Sequence, residues 1–143
     1  MRAWLSVGLL TASVVIAYFA TSNTAFAEEK HPVGKVYELR TYTANPGKLD
    51  ALNARFRDHT CRLFEKHGIE VVGFWTPTAP EQSQNTLIYL VVFPSVEAQK
   101  QAWQAFRDDP QWKKAKADSE REGVLAKEVT SVNLTPTDYS PMR

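Results

Sequence analysis

The chain has 143 residues, with 17 basic against 16 acidic side chains and a single cysteine. A balance this close to neutral, with no long run of Lys or Arg, lacks the positive stripe that nucleic-acid binding requires. One cysteine permits no internal disulfide, so stability must come from packing.

Residues 1–27 have the three parts of a secretory signal peptide: one charge at Arg2, an apolar run to Ala20, and a small-residue ending Ala25-Phe26-Ala27. Cleavage after Ala27 gives an exported protein, periplasmic or secreted, with no remaining membrane attachment. The competing reading is a retained anchor, because residues 4–20 form an apolar stretch of about 17 residues, the lower limit for a bilayer span. The remainder is long enough for one domain with one core and too short for two. It divides into a polar leader (28–35), a folded domain (36–134) and an extended C-terminal tail (135–143).

VYELRTYT (36–43) is rich in Val, Tyr and Thr and predicts a strand. Asn45-Pro46-Gly47 predicts a helix start, with Asn45 as N-cap and Pro46 at the first helical position. That helix runs to His67, and Gly68 is the expected left-handed stop. Strands follow at 69–76 and 85–93, joined by a proline-containing polar loop. Ser95 caps a helix, Asp109-Pro110 restarts it, Gly123 ends it, and 126–134 is the last strand. The order β-α-β-β-α-β predicts an α+β, ferredoxin-like fold: a four-stranded antiparallel sheet with both helices on one face. The third strand is apolar on both parities, so the second face also needs a cover. A second copy related by a two-fold axis supplies one, which predicts a homodimer built sheet to sheet.

On an ideal helix Leu49, Leu52, Phe56, His59 and Leu63 fall within an arc of roughly 80°. This puts His59 on the buried stripe and Cys61 on the outer face. His59 is then either a core imidazole bonded to a backbone carbonyl or tyrosine, or the polar group of an aromatic pocket. Tyr37, Trp75, Trp103, Phe106 and Trp112 are the ring candidates for such a pocket. His67 suits the helix C-terminus as a cation facing the macrodipole. Histidines at 31, 59 and 67 have no metal-ligand spacing, so no metal site is expected. In the first strand Tyr37, Leu39 and Thr41 suit helix packing, which sends Glu38 and Arg40 to the dimer side as an ion pair. The alternative puts Glu38 and Arg40 in a polar cavity inside the barrel, and one β-bulge would interchange the two faces.

Tyr37-Glu38-Leu39-Arg40-Thr41-Tyr42, Pro46-Gly47, His67-Gly68, Gly73-Phe74-Trp75 and Phe106 through Asp109-Pro110 to Trp112, in this order and spacing, resemble the NIPSNAP family of the dimeric α/β-barrel superfamily. The resemblance covers residues 35–134 and implies the same fold and dimer. It implies little chemistry: the family's best-known members are mitochondrial, and the export signal departs from them. The wider superfamily includes cofactor-free monooxygenases and haem proteins, and the haem-binding kinds commonly present a helix histidine toward the sheet; by that analogy His59 could bind iron or act as a base, and Arg40 could hold an anionic group. No nucleophile with its base, phosphate loop or carboxylate pair identifies a reaction, and no cofactor is required, with haem the runner-up. The sequence therefore predicts a small-molecule-binding homodimer with His59, Tyr37, Arg40, Trp75, Trp103 and Phe106 as candidate ligand-binding residues and His59 as the one catalytic candidate. An enzyme and a non-catalytic interaction module stand as the alternatives.

Overall fold

The computed structural model describes residues 34–142; the expected signal peptide and most of the leader lie outside the described residues. Strand β1 (Val36–Ala44) leads to helix α1 (Leu49–Arg55), which continues through a π-turn (Phe56–Thr60) into α2 (Cys61–Lys66). Then come β2 (Glu70–Trp75), the single helical turn α3 (Pro80–Ser83), β3 (Thr86–Phe93), α4 (Val96–Asp108), α5 (Pro110–Ser119) and β4 (Ala126–Leu134). The strands lie in the order β2-β3-β1-β4 with every neighbouring pair antiparallel. This is the ferredoxin-like sheet that the alternation of elements predicts.

Local signals explain most of the boundaries. Ser95 accepts from the Ala98 N–H at 3.1 Å and Asp109 from the Gln111 N–H at 2.7 Å, each satisfying a donor at a helix start. Gly68, at φ +70°, ends α2 in the left-handed conformation that glycine adopts without penalty. The first helix start differs from expectation. Asn45-Pro46-Gly47 forms a turn closed by Lys48 N–H to the Asn45 carbonyl at 2.9 Å, and α1 begins only at Leu49. Asn45 is used elsewhere, its side chain donating to the Val124 carbonyl at 2.8 Å and tying the turn to the approach of β4.

The core lies between helices and sheet. Leu87, Tyr89, Val91 and Phe93 project from β3 onto Leu52, Phe56, Leu63 and Phe64 of the first helical rod and onto Trp103 and Phe106 of α4. Burying each such side chain contributes about 1.5–3 kcal/mol. The opposite face of the sheet carries Leu39, Ile88 and Leu90, half-buried, with Trp75, Val132 and Leu134 exposed. There the Trp75 ring lies across Gly73, where a β-carbon would stand 2.8 Å from it, so only glycine admits the ring. Part of the C-terminal tail flanks this face, with Pro136 and Met142 sharing a cleft with Tyr37, Leu90 and Leu134.

Two orientations correct the sequence reading. Glu38, Arg40 and Tyr42 pair in register with Val91, Tyr89 and Leu87, and so point toward the helices, while Tyr37, Leu39 and Thr41 pair with Val92, Leu90 and Ile88 on the opposite face. The helix side supplies the donors that Glu38 uses, Gln99 and Trp103 of α4 and Ser131 of β4. His59 is the second correction. The Cys61 N–H reaches back five residues to the Phe56 carbonyl, so the π-turn holds one residue more than an α-turn. The extra residue rotates the helix beyond it: Thr60 takes the buried position and His59 is exposed.

Candidate functional site

Glu38 is only 3% exposed, although it carries a carboxylate. Its Oε1 accepts from Arg40 Nη1 at 2.9 Å and Ser131 Oγ at 2.5 Å, and its Oε2 accepts from Gln99 Nε2 at 2.6 Å and Trp103 Nε1 at 2.5 Å. Four donors saturate an ionised carboxylate. Burial works to raise the Glu38 pKa, but the hydrogen bonds from Ser131, Trp103 and Gln99 and the charge of Arg40 outweigh it and hold the group below its ordinary range. The network draws on three elements, β1, β4 and α4, and a reciprocal amide pair between Gln99 and Asn133 at 2.8 and 3.1 Å extends it.

Glu38 thereby aims Arg40. The guanidinium lies over the Trp103 ring, 4.6 Å from its centre, and its Nε–H is buried with no acceptor among the described residues. Beyond the guanidinium is a cavity of about 230 Å³ between sheet and helices. Its walls are the rings of Tyr42, Phe56, Phe64, Trp103, Phe106 and Trp112, and Thr60, Arg107 and Lys116 complete the lining. Arg40 and Trp103 also border a wider, solvent-open cleft of about 880 Å³ on the Glu38 side.

Each wall has a local cause. The π-turn turns both Phe56 and Thr60 inward, and the Thr60 hydroxyl donates to the Arg55 carbonyl at 3.2 Å, inside the turn itself. Phe56 meets Tyr42 edge to face at 5.5 Å, and Trp112 lies 4.5 Å from Phe106. The rim is clamped at two points. Arg55 pairs with Glu120 at 2.8 Å and covers Trp112, while Lys66 and His67 both contact Asp109 Oδ2 at 2.7 Å. The Tyr89 hydroxyl sits 3.5 Å from that of Tyr42, and burial, reinforced by Tyr42, pushes its pKa well above the ordinary phenol value. Tyr89 therefore stays protonated at neutral pH. With Glu38 saturated and Tyr89 protonated, the site is equipped to orient a ligand and neutralise its charge, and it pairs no nucleophile with a base.

Of the residues singled out from sequence, Arg40, Trp103, Phe106 and Trp112 meet at this cavity. Tyr37 and Trp75 lie on the opposite face of the sheet, and His59 points outward from the π-turn. Sequence reasoning missed Gln99, Ser131 and Thr60, which are polar residues at positions where a pattern reader expects surface. Gln99, four residues from Trp103 and so on the same face of α4, was the available signal.

Residues 37–141 match the NIPSNAP family. No curated protein is similar to the chain. Among solved structures, a NIPSNAP family protein of unknown function from Agrobacterium tumefaciens is 21% identical with a TM-score of 0.67, covering 79% of this chain and 97% of that one. An uncharacterised NIPSNAP-like domain protein from Burkholderia xenovorans is 15% identical with a TM-score of 0.65, covering 76% and 90%. SnoaB, a cofactor-independent oxygenase from Streptomyces nogalater, is 15% identical with a TM-score of 0.52, covering 76% and 98%. The family match spans most of the chain, and the fold of these structures agrees with it: this chain belongs to the NIPSNAP family.

Proposed function

We propose that the chain is an exported homodimer that binds a small molecule in the aromatic cavity between helices and sheet. The observation that carries this reading is the cavity itself, walled by six aromatic rings with the Arg40 side chain in its lining. Dimerisation is supported by the apolar open face of the sheet, where Leu39, Ile88, Leu90, Val132 and Trp75 would be covered by their two-fold mates. Export is supported by the A-x-A ending of the first 27 residues. Native mass spectrometry of the protein recovered from an exporting host tests all three. A dimer that begins at Glu28 and carries a bound small mass is the expected result; a monomer with an intact N-terminus and no bound mass would sink the reading.

A second reading is a cofactor-free monooxygenase working in the same cavity, supported by the likeness of fold to SnoaB. Oxygen uptake on addition of a ligand recovered from the protein would favour it over simple binding. Haem fits the residues poorly. The expected histidine ligand, His59, faces outward, and the cavity lining contains no other histidine.

A further inference from the structure

We infer that the ligand of the Arg40 cavity is a small planar aromatic anion, a one- or two-ring carboxylate or phenolate whose charge is met by the basic side chains of the lining, Arg40, Arg107 and Lys116. This rests on the reading of the cavity as a ligand site and adds the chemical class.

Three features of the lining select it. The charged groups there are Arg40, Arg107 and Lys116, with no carboxylate among them. Glu38 offsets Arg40 from behind, on the side of the outer cleft, which leaves the Arg107 and Lys116 charges at the rim uncompensated by any acid of the lining. Aromatic boxes often take cationic ligands. Here the face of Trp103 is already occupied by the Arg40 guanidinium, and Arg107 and Lys116 would repel a second cation. The remaining walls are rings, which match a flat apolar body. Size sets the last limit. A cavity of about 230 Å³ is small, which favours a body of one or two rings. The outer cleft is a poorer candidate because Glu38 and Asp108 share it with Lys100 and Arg107 and it stands open to water.

The test titrates the full chain, by calorimetry at low salt, with three probes of one shape: 2-naphthoate, neutral 2-naphthamide and cationic 2-naphthylmethylammonium. Naphthoate should bind about tenfold or more tighter than the amide, with the ammonium weakest. Arg40→Met should remove most of that preference. Because Arg40→Met can unfold the protein by stranding Glu38, Arg107→Gln with Lys116→Gln serves as a second variant, and should weaken naphthoate severalfold more than the amide. Equal binding of all three probes would overturn the anionic class while leaving the cavity a ligand site. Tightest binding of the ammonium would overturn it likewise. Failure of every probe at millimolar concentration would overturn both the class and the ligand-site reading.

Discussion

The two faces of the sheet are built from alternating residues of the same strands, yet they handle polarity in opposite ways. The helix-covered face buries an ion pair and satisfies its carboxylate with four donors, while the open face offers Leu, Ile, Val and Trp side chains to solvent. A charge can be buried only where other elements bring donors to it, and α4 does so on one side alone. The same face holds the aromatic cavity that Arg40 lines. The apolar face is suited to association.

The largest effect that would break this contrast is expected at Glu38. Glu38→Ala leaves the Arg40 guanidinium without its carboxylate and should cost about 3–5 kcal/mol, read from urea denaturation. A loss under about 1 kcal/mol would show that the network is dispensable. The counterpart on the open face is Leu90→Asp, which should leave each subunit folded by circular dichroism and halve the mass measured by light scattering. An unchanged mass would remove the open face from the interface.

Acid sharpens the comparison. Glu38 and Asp109 both have folded pKa values below their ordinary ones, Glu38 through its donors against burial, and Asp109 through hydrogen bonds from Lys66 and His67. Below the ordinary carboxyl range the unfolded chain takes up protons that the folded chain does not. Stability should therefore be level at neutral pH and fall as pH drops below about 4.5. Glu38→Gln should flatten part of that decline, whereas Leu90→Asp should not. A stability profile unchanged down to about pH 3 would contradict the lowered values.

The smallest effects belong to the π-turn. Deleting Arg57 should close it into an ordinary α-turn, with Phe56, Thr60 and Leu63 still on the buried stripe, so stability should change by less than about 1 kcal/mol while ligand affinity falls with the altered position of Thr60. His59→Ala should shift stability by no more than about 0.5 kcal/mol and leave ligand retention intact, because the imidazole is exposed. Loss of the bound mass in His59→Ala would restore the histidine as a site residue.

Much of this molecule was legible one residue at a time. Ser95, Gly68 and the Asp109-Pro110 pair mark their helix boundaries because caps and left-handed stops depend on the nearest few residues. Four of the ten residues that line the cavity were legible too, since Arg40, Trp103, Phe106 and Trp112 are chemically conspicuous. Gln99, Ser131 and Thr60 were not, because their role depends on what faces them from another element.

The sequence by itself determined the order of strands and helices and the need for both faces of β3 to be covered, which follow from composition and local periodicity, and the order and spacing of its motifs pointed to the family. The tertiary structure alone decided which face received Glu38 and Arg40 and which way His59 turned. Strand parity is symmetric until donors from α4 and β4 break the tie. A π-turn adds one residue at little local cost, so only the fit of Thr60, Leu63 and Phe64 against the sheet could select it.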